Sequence, residues 1–222
     1  EDRPGLVRIE SLALDGDGAL WAGTSWSDLY RIVTATGRIT HFPVGNSGSL
    51  RGSEGFWDIE PRNDGYLWIA SDRGLFQFNP TDSTLRSIGA GAGAPSGPVF
   101  AIVTDSAGTL WLSTGDGIYR YPRPQQFTDR LGDVRHYTAA DGLPFSEFNR
   151  RAALLSPTGR LVFGGMGGVI HFDPTAIRDN PHPPPVVFTA IERSRMDGPV
   201  AIEPFSLDSI AAAWDDTGIA FE

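Results

Sequence analysis

Gly108-Thr-Leu-Trp-Leu-Ser-Thr114 is one of four versions of the same phrase. The others are Gly18-Ala-Leu-Trp-Ala-Gly-Thr24, Gly65-Tyr-Leu-Trp-Ile-Ala-Ser71 and the weaker Gly159-Arg-Leu-Val-Phe-Gly-Gly165. Each is a glycine turn followed by a short apolar strand that ends in small residues. Counted at Trp21, Trp68, Trp111 and Val162, the copies lie about 47, 43 and 51 residues apart, a period that marks propeller blades or a solenoid.

Working outward from each phrase, the flanking segments read as further strands. In the first repeat, Val7-Arg-Ile-Glu-Ser-Leu-Ala-Leu14 alternates apolar and polar residues, and Asp15-Gly-Asp-Gly18 supplies a hairpin turn. Leu29-Tyr-Arg-Ile-Val33 and Arg38-Ile-Thr-His-Phe42 complete four strands in under fifty residues, the content of one propeller blade. The expected fold is all-β: four four-stranded antiparallel sheets at about 5–50, 51–95, 96–140 and 141–179, forming part of a larger propeller. Asn180-Pro-His-Pro-Pro-Pro185 reads as a proline-rich linker, and 186–222 as the first strands of a β-sandwich.

Composition agrees with short strands and tight turns: 27 glycines, 17 prolines and 11% aromatic residues in 222. The net charge is −9 and all 18 basic residues are arginine, so phosphate backbones and anionic lipid are repelled and nucleic acid is not an expected partner. With no cysteine there is neither a disulfide nor a thiolate metal site. No apolar run is long enough to span a bilayer, and the opening at Glu1, without methionine or leader, reads as an excised or processed segment.

The phrases resemble the two-component regulator propeller family, whose repeat runs Asp-x-x-Gly-x-Leu-Trp, Gly-Thr, then Gly-Leu-x-Arg-Tyr. Gly74-Leu-Phe-Gln-Phe78 and Gly117-Ile-Tyr-Arg-Tyr121 are similar to its last part. Asp141-Gly-Leu-Pro-Phe-Ser-Glu-Phe-Asn149, with Phe172-Asp-Pro174, resembles the closing blade of such propellers. Pro183-Pro-Pro-Val-Val-Phe-Thr189 and Asp215-Asp-Thr-Gly-Ile-Ala-Phe-Glu222 are similar to the start of the triple-tyrosine sandwich that follows, which stops here before its tyrosines.

The resemblance implies a periplasmic sensor or signal-relay segment of a bacterial two-component or cyclic-di-GMP protein. Its output histidine kinase or diguanylate cyclase, and the membrane helix leading to it, would lie outside this segment. It implies no catalysis by the segment itself and no cofactor. Two other readings are a streptogramin-lyase-like enzyme, which needs a base and metal carboxylates at the pore, and a protein-binding scaffold. Among first-strand residues only Glu10, Asp58 and Glu60 are acids, and none is a histidine.

Trp21, Trp68 and Trp111, with the turn glycines Gly18, Gly65, Gly108 and Gly159, are expected to be structural repeat positions. Asp15-Gly-Asp-Gly18 resembles a calcium loop, but its twelfth position is Trp26 rather than glutamate, so it is read as a hairpin. The dispersed histidines His41, His136 and His171 form no expected metal or nucleophile–base set.

In a four-stranded meander the turn between strands two and three shares an end with the crossover to the next blade. That end gathers Trp26, Asp28, Trp57, Arg73, Asp116, Asn149 and Arg150, the expected ligand-binding residues. The expected ligand is an unidentified small molecule, carbohydrate included, or a protein signal. An opened ring leaves strand edges, so self-association is also expected.

Overall fold

The structure is a computed structural model that describes residues 8–46, 55–122, 134–178, 191–195, 198–202 and 216–221. The chain divides into two compact units, Glu1–Ile177 and Arg178–Glu222. The expected linker 180–185 lies outside the described residues.

The first unit is a series of antiparallel sheets arranged as propeller blades. Blade one is β1 (Ile9–Leu14), β2 (Ala19–Thr24), β3 (Leu29–Val33) and β4 (Arg38–Phe42). Blade two is β5 (Phe56–Pro61), β6 (Leu67–Ser71), β7 (Gly74–Asn79) and β8 (Thr84–Ile88). Blade three is β9 (Val99–Thr104), β10 (Leu110–Thr114), β11 (Ile118–Tyr121) and β12 (Arg135–Tyr137). Blade four has three strands among the described residues: β13 (Phe148–Leu155), β14 (Leu161–Gly165) and β15 (Gly168–Phe172). After Phe172 the chain enters a short 3-10 turn at Pro174–Ala176, capped by the Asp173 side chain, rather than a fourth strand. The second unit contains β16 (Ile191–Arg195), β17 (Gly198–Ile202) and β18 (Asp216–Phe221), an antiparallel sheet in the order β17-β16-β18.

The repeated phrase builds the same hairpin in every blade. Gly18, Gly65, Gly108 and Gly159 have φ between 75° and 86°, the left-handed conformation that glycine enters without steric cost. Each glycine N–H donates to the carbonyl three residues earlier, and the residue accepting that bond donates its own N–H across the hairpin. This is a type I turn closed by a left-handed residue.

The aspartate that opens the turn locks it to the tryptophan. Asp15 Oδ1 accepts from the N–H groups of Asp17 (3.0 Å) and Ala19 (2.8 Å), while Oδ2 accepts from the Trp21 indole (3.0 Å). Asp105 repeats this with Ala107, Thr109 and the Trp111 indole. Both oxygens of each carboxylate thus take up N–H donors, which is the hairpin use of the motif. Burial pushes the Asp15 carboxyl up, but the bonds from Ala19, Trp21 and Arg31 outweigh it and hold the group below the ordinary range. In blade two Arg62 stands in the aspartate's place, and its guanidinium lies over the Trp68 ring at 5.0 Å.

Each tryptophan packs against the next blade. Trp21, Leu29 and Phe42 of blade one meet Phe56, Ile59 and Phe78 of blade two. Trp68 and Leu75 meet Val99 and Ile102 of blade three, and Trp111, Val103 and Ile118 meet Phe148 and Phe163 of blade four. In each consecutive pair, the back face of one blade, carrying the tryptophan position, is therefore turned to the front face of the next. Burying each of Trp21, Trp68 and Trp111 contributes roughly 2–3 kcal/mol.

Candidate functional site at the axial rim

The four inner strands, β1, β5, β9 and β13, surround a cavity of about 440 Å³. At the crossover end of each, the pairing register slips. It passes from Ile9 to Ser11, from Phe56 to Asp58, from Val99 to Ala101 and from Phe148 to Ala153. The skipped residues are Glu10, Trp57, Phe100 and the longer 149–152. A bulge bends its strand and re-aims the extra side chain, and here four successive bulges stand around one axis.

The bulges bring three blades into contact. The Trp57 ring stacks on Phe100 of blade three, with centroids 5.7 Å apart. The Arg150 guanidinium of blade four lies 3.6 Å from the Trp57 centroid, a cation–π distance. Trp57 is only 3% exposed, and its indole N–H has no hydrogen-bond partner among the described residues. Arg151 adopts a left-handed backbone (φ 57°), uncommon outside glycine and imposed here by the wide bulge. Its guanidinium donates to the backbone carbonyl of Glu10 in blade one.

Below the rim, two carboxylates of β5 reach across to the unpaired edge of β9. Asp58 accepts from the Ile102 N–H (2.8 Å) and from its neighbour Ile59 (3.0 Å), and Glu60 accepts from the Thr104 N–H (3.0 Å). Inner strands are sheet edges, and these bonds satisfy N–H groups that no strand pairs. Burial pushes the Asp58 carboxyl up to about 6, although the hydrogen bonds and the positive charge of Arg151 draw it down. Burial pushes Glu60 up to about 7, against the bonds from Thr104, and the charge of Asp58 adds to the rise. In blade one the same inter-blade task falls to Ser11, whose hydroxyl donates to the Phe56 carbonyl at 2.9 Å.

Of the residues expected at this end, Trp57, Asn149 and Arg150 lie together on the bulges, and the other four lie on the turns between the second and third strands of their blades. The Asp28 carboxylate accepts from the Gly45 N–H (3.0 Å) and lies 3.2 Å from His41 Nε2. Asp116 accepts from the Thr114 hydroxyl (2.5 Å) and stands 3.7 Å from His136. The two sites match, since His41 stacks on Tyr30 (4.5 Å) and His136 on Tyr119 (4.0 Å). Trp26 is half-buried in the blade-one turn, where its N–H donates to the Thr24 hydroxyl. Arg73 is exposed and paired with Asp72 at 3.4 Å.

Phe100 and Arg151 belong to the rim but did not stand out as motifs. A signal for them exists in the repeat: Glu10, Trp57, Phe100 and Arg151 all lie 11 residues before Trp21, Trp68, Trp111 and Val162. Among the described residues no group of three or more histidines or acids is placed to hold a metal ion.

Residues 93–116, which hold the third copy of the phrase, match the family model described as two component regulator propeller. Over these residues the chain is similar to that repeat. The match covers the blade-three inner strand, its turn and Trp111, whose shared geometry in the neighbouring sheets is described above.

Histidine kinase P4 of Formosa agariphila is 30% identical to this propeller chain over 91 residues, 41% of the chain and 6% of the kinase. The extracellular domain of the hybrid two component system BT3049 from B. thetaiotaomicron superposes with a TM-score of 0.63 at 23% identity. That superposition covers 96% of this chain and 26% of the other. The corresponding domain of BT4673 from the same organism gives 0.55 at 18% identity, over 83% of this chain and 22% of the other. At these identities the structural likeness concerns the fold. The propeller chain spans a small part of the kinase and about a quarter of each of these structures.

Proposed function

We propose that this chain is a sensing and signal-relay segment of an extracytoplasmic two-component sensor, without catalysis of its own. The family repeat at residues 93–116 and the fold shared with extracellular domains of two-component systems support this reading. The kinship with a histidine kinase favours a kinase over a cyclase as the output.

The observation that carries the proposed site is the Phe100–Trp57–Arg150 stack, in which three blades meet at one end of the axis. A ligand seated there touches three sheets at once, so a change in their relative tilt can be passed along the ring. The contacts proposed are Arg150 and Asn149 at the rim, Trp57 beneath them, and Trp26, Asp28, Arg73 and Asp116 on the surrounding turns. Guanidinium, amide and aromatic groups suit a polar ligand with hydroxyl or carboxylate groups and an apolar face, as oligosaccharides have.

The test is calorimetric titration of the purified chain with neutral and acidic oligosaccharides. Trp57→Ala, by losing an aromatic face, and Arg150→Ala, by losing a charged hydrogen-bond donor, are each expected to weaken a hit by about tenfold. Unchanged affinity in both variants would place the ligand elsewhere and overturn the site.

A second reading, acid–base chemistry in the axial cavity, draws on the Asp58 and Glu60 carboxyls, which titrate near neutrality. Both are already engaged with backbone N–H groups of β9, which favours the structural role.

A further inference from the structure

In a repeat, the positions that depart from the shared pattern mark what the fold alone does not require. Strand register runs a row of residues outward from each tryptophan across its blade. The row ends at Arg86 in blade two and at Arg135 in blade three, but at the short Thr40 in blade one. A second departure lies in the turn of blade two, where Arg62 replaces the aspartate that Asp15 and Asp105 supply to their blades.

Both departures line the same space. A cavity of about 450 Å³ opens between the back face of blade one and the front face of blade two, at the end that holds the Asp-Gly turns and away from the rim. Trp21, Arg31 and Thr40 stand on its blade-one side, Arg62 and Tyr66 on its blade-two side, and Asp17 at its mouth. The two sides belong to one blade-to-blade contact within the chain, the one that buries Phe56 and Phe78.

The charges select the ligand. Arg31 gives Nε and Nη2 to Asp15, at 3.4 and 3.2 Å. The Asp17 carboxylate, 90% exposed, stands 3.8 Å from the same guanidinium, beyond hydrogen-bond distance. The Arg62 side chain is only 8% exposed and pairs with Asp64. A simple anion entering the cavity meets Asp15 and Asp17, and a simple cation meets Arg31 and Arg62, so like charge opposes either one. A zwitterion is opposed by neither, since its carboxylate accepts from a guanidinium while its ammonium donates to Asp17. The rings of Trp21 and Tyr66 offer it an apolar wall, and the volume lies within the range of small-molecule pockets.

We propose that this cavity binds an α-amino acid with an apolar side chain, at a site separate from the rim. The guanidinium groups of Arg31 and Arg62 take the carboxylate, Asp17 takes the ammonium, and the side chain lies against Tyr66. Thr40 makes the room that an arginine in its place would fill.

Calorimetric titration of the whole chain with L-leucine, L-methionine and L-phenylalanine tests this. At least one is expected to bind. Its analogue without the ammonium and its analogue without the carboxylate should each bind about tenfold more weakly, the worth of one hydrogen bond to a charged group. Asp17→Asn should weaken the amino acid about tenfold and not weaken the analogue that lacks the ammonium. Thr40→Arg, which gives blade one the residue that blades two and three carry, should abolish binding.

The proposal is overturned if none of the three amino acids gives heat or raises the melting temperature, or if either analogue binds as tightly as its amino acid. Unchanged affinity in either variant overturns it as well. Circular dichroism checks that the variants are folded, and if Thr40→Arg does not fold, Asp17→Asn at its exposed position decides alone.

Discussion

Lowering the pH from 7.5 to 5 is expected to stabilise this chain, because of two carboxyls in its axial cavity. Asp58 rises from 3.8 to about 6 on folding and Glu60 from 4.5 to about 7. The cause in each case is first of all burial, which penalises the charged form. Between about pH 4 and 7 the folded chain therefore binds more protons than the unfolded one, and stability falls as pH rises through that window. A change of one pKa unit is worth about 1.4 kcal/mol, so Asp58 (6 − 3.8, about 2 units) and Glu60 (7 − 4.5, about 2.5 units) have an upper bound of about 3 kcal/mol each. Since the charge on Asp58 is part of what raises Glu60, the two overlap, and about 4 kcal/mol together is the expected size.

Urea unfolding followed by tryptophan fluorescence at pH 5, 6, 7 and 7.5 measures the slope directly. Asp58→Asn with Glu60→Gln keeps an acceptor facing the Ile102 and Thr104 N–H groups but removes the titration. The double variant should therefore show a much flatter profile, whatever its absolute stability. The slope, not the level, is the readout, because an asparagine amide cannot accept both N–H groups that Asp58 does. Relief of the overall negative charge on acidification acts on wild type and variant together. A wild-type slope of the opposite sign, or equal slopes in the two proteins, would refute the assignment of these carboxyls.

Four further substitutions test the repeated hairpin and the approach of β11 to β12. Asp105→Ala leaves the Ala107, Thr109 and Trp111 N–H groups without their acceptor in a buried corner, and should cost about 3 kcal/mol, seen as a lowered urea midpoint. Asp15→Ala should cost less, because water reaches that more open turn and can replace the carboxylate. Gly108→Ala faces only the left-handed backbone, with open space around the new methyl, and should cost about 1–2 kcal/mol. Gly117→Ala would put its Cβ 2.2 Å from the Tyr137 carbonyl and should leave little folded protein by circular dichroism. A Gly117→Ala melt equal to that of Gly108→Ala would contradict the close approach of β11 and β12.

How much of this was legible before the fold was known differs from feature to feature. The blades were, because a propeller repeats its chemistry with its geometry. The glycine must turn, the aspartate must hold the turn, and the indole must reach back to it, so the same letters recur at the same spacing. The gathering of Trp57, Asn149 and Arg150 at one end followed from counting strands in a meander.

The stacking of Arg150 on Trp57 did not, since it joins residues of separate blades that no local pattern relates. The fourth blade's missing tryptophan was visible.

By itself, the sequence determined the strand content, the turns and the order of the sheets, all of which depend on interactions within about fifty residues. Tertiary structure alone decided which way the bulged side chains point, which carboxylates lose their water, and which faces find a partner. These outcomes depend on groups 44 or more residues away, such as the Ile102 N–H beside Asp58 and the Glu10 carbonyl beside Arg151. Burial and hydrogen-bond supply are properties of the assembled ring, and no single repeat contains them.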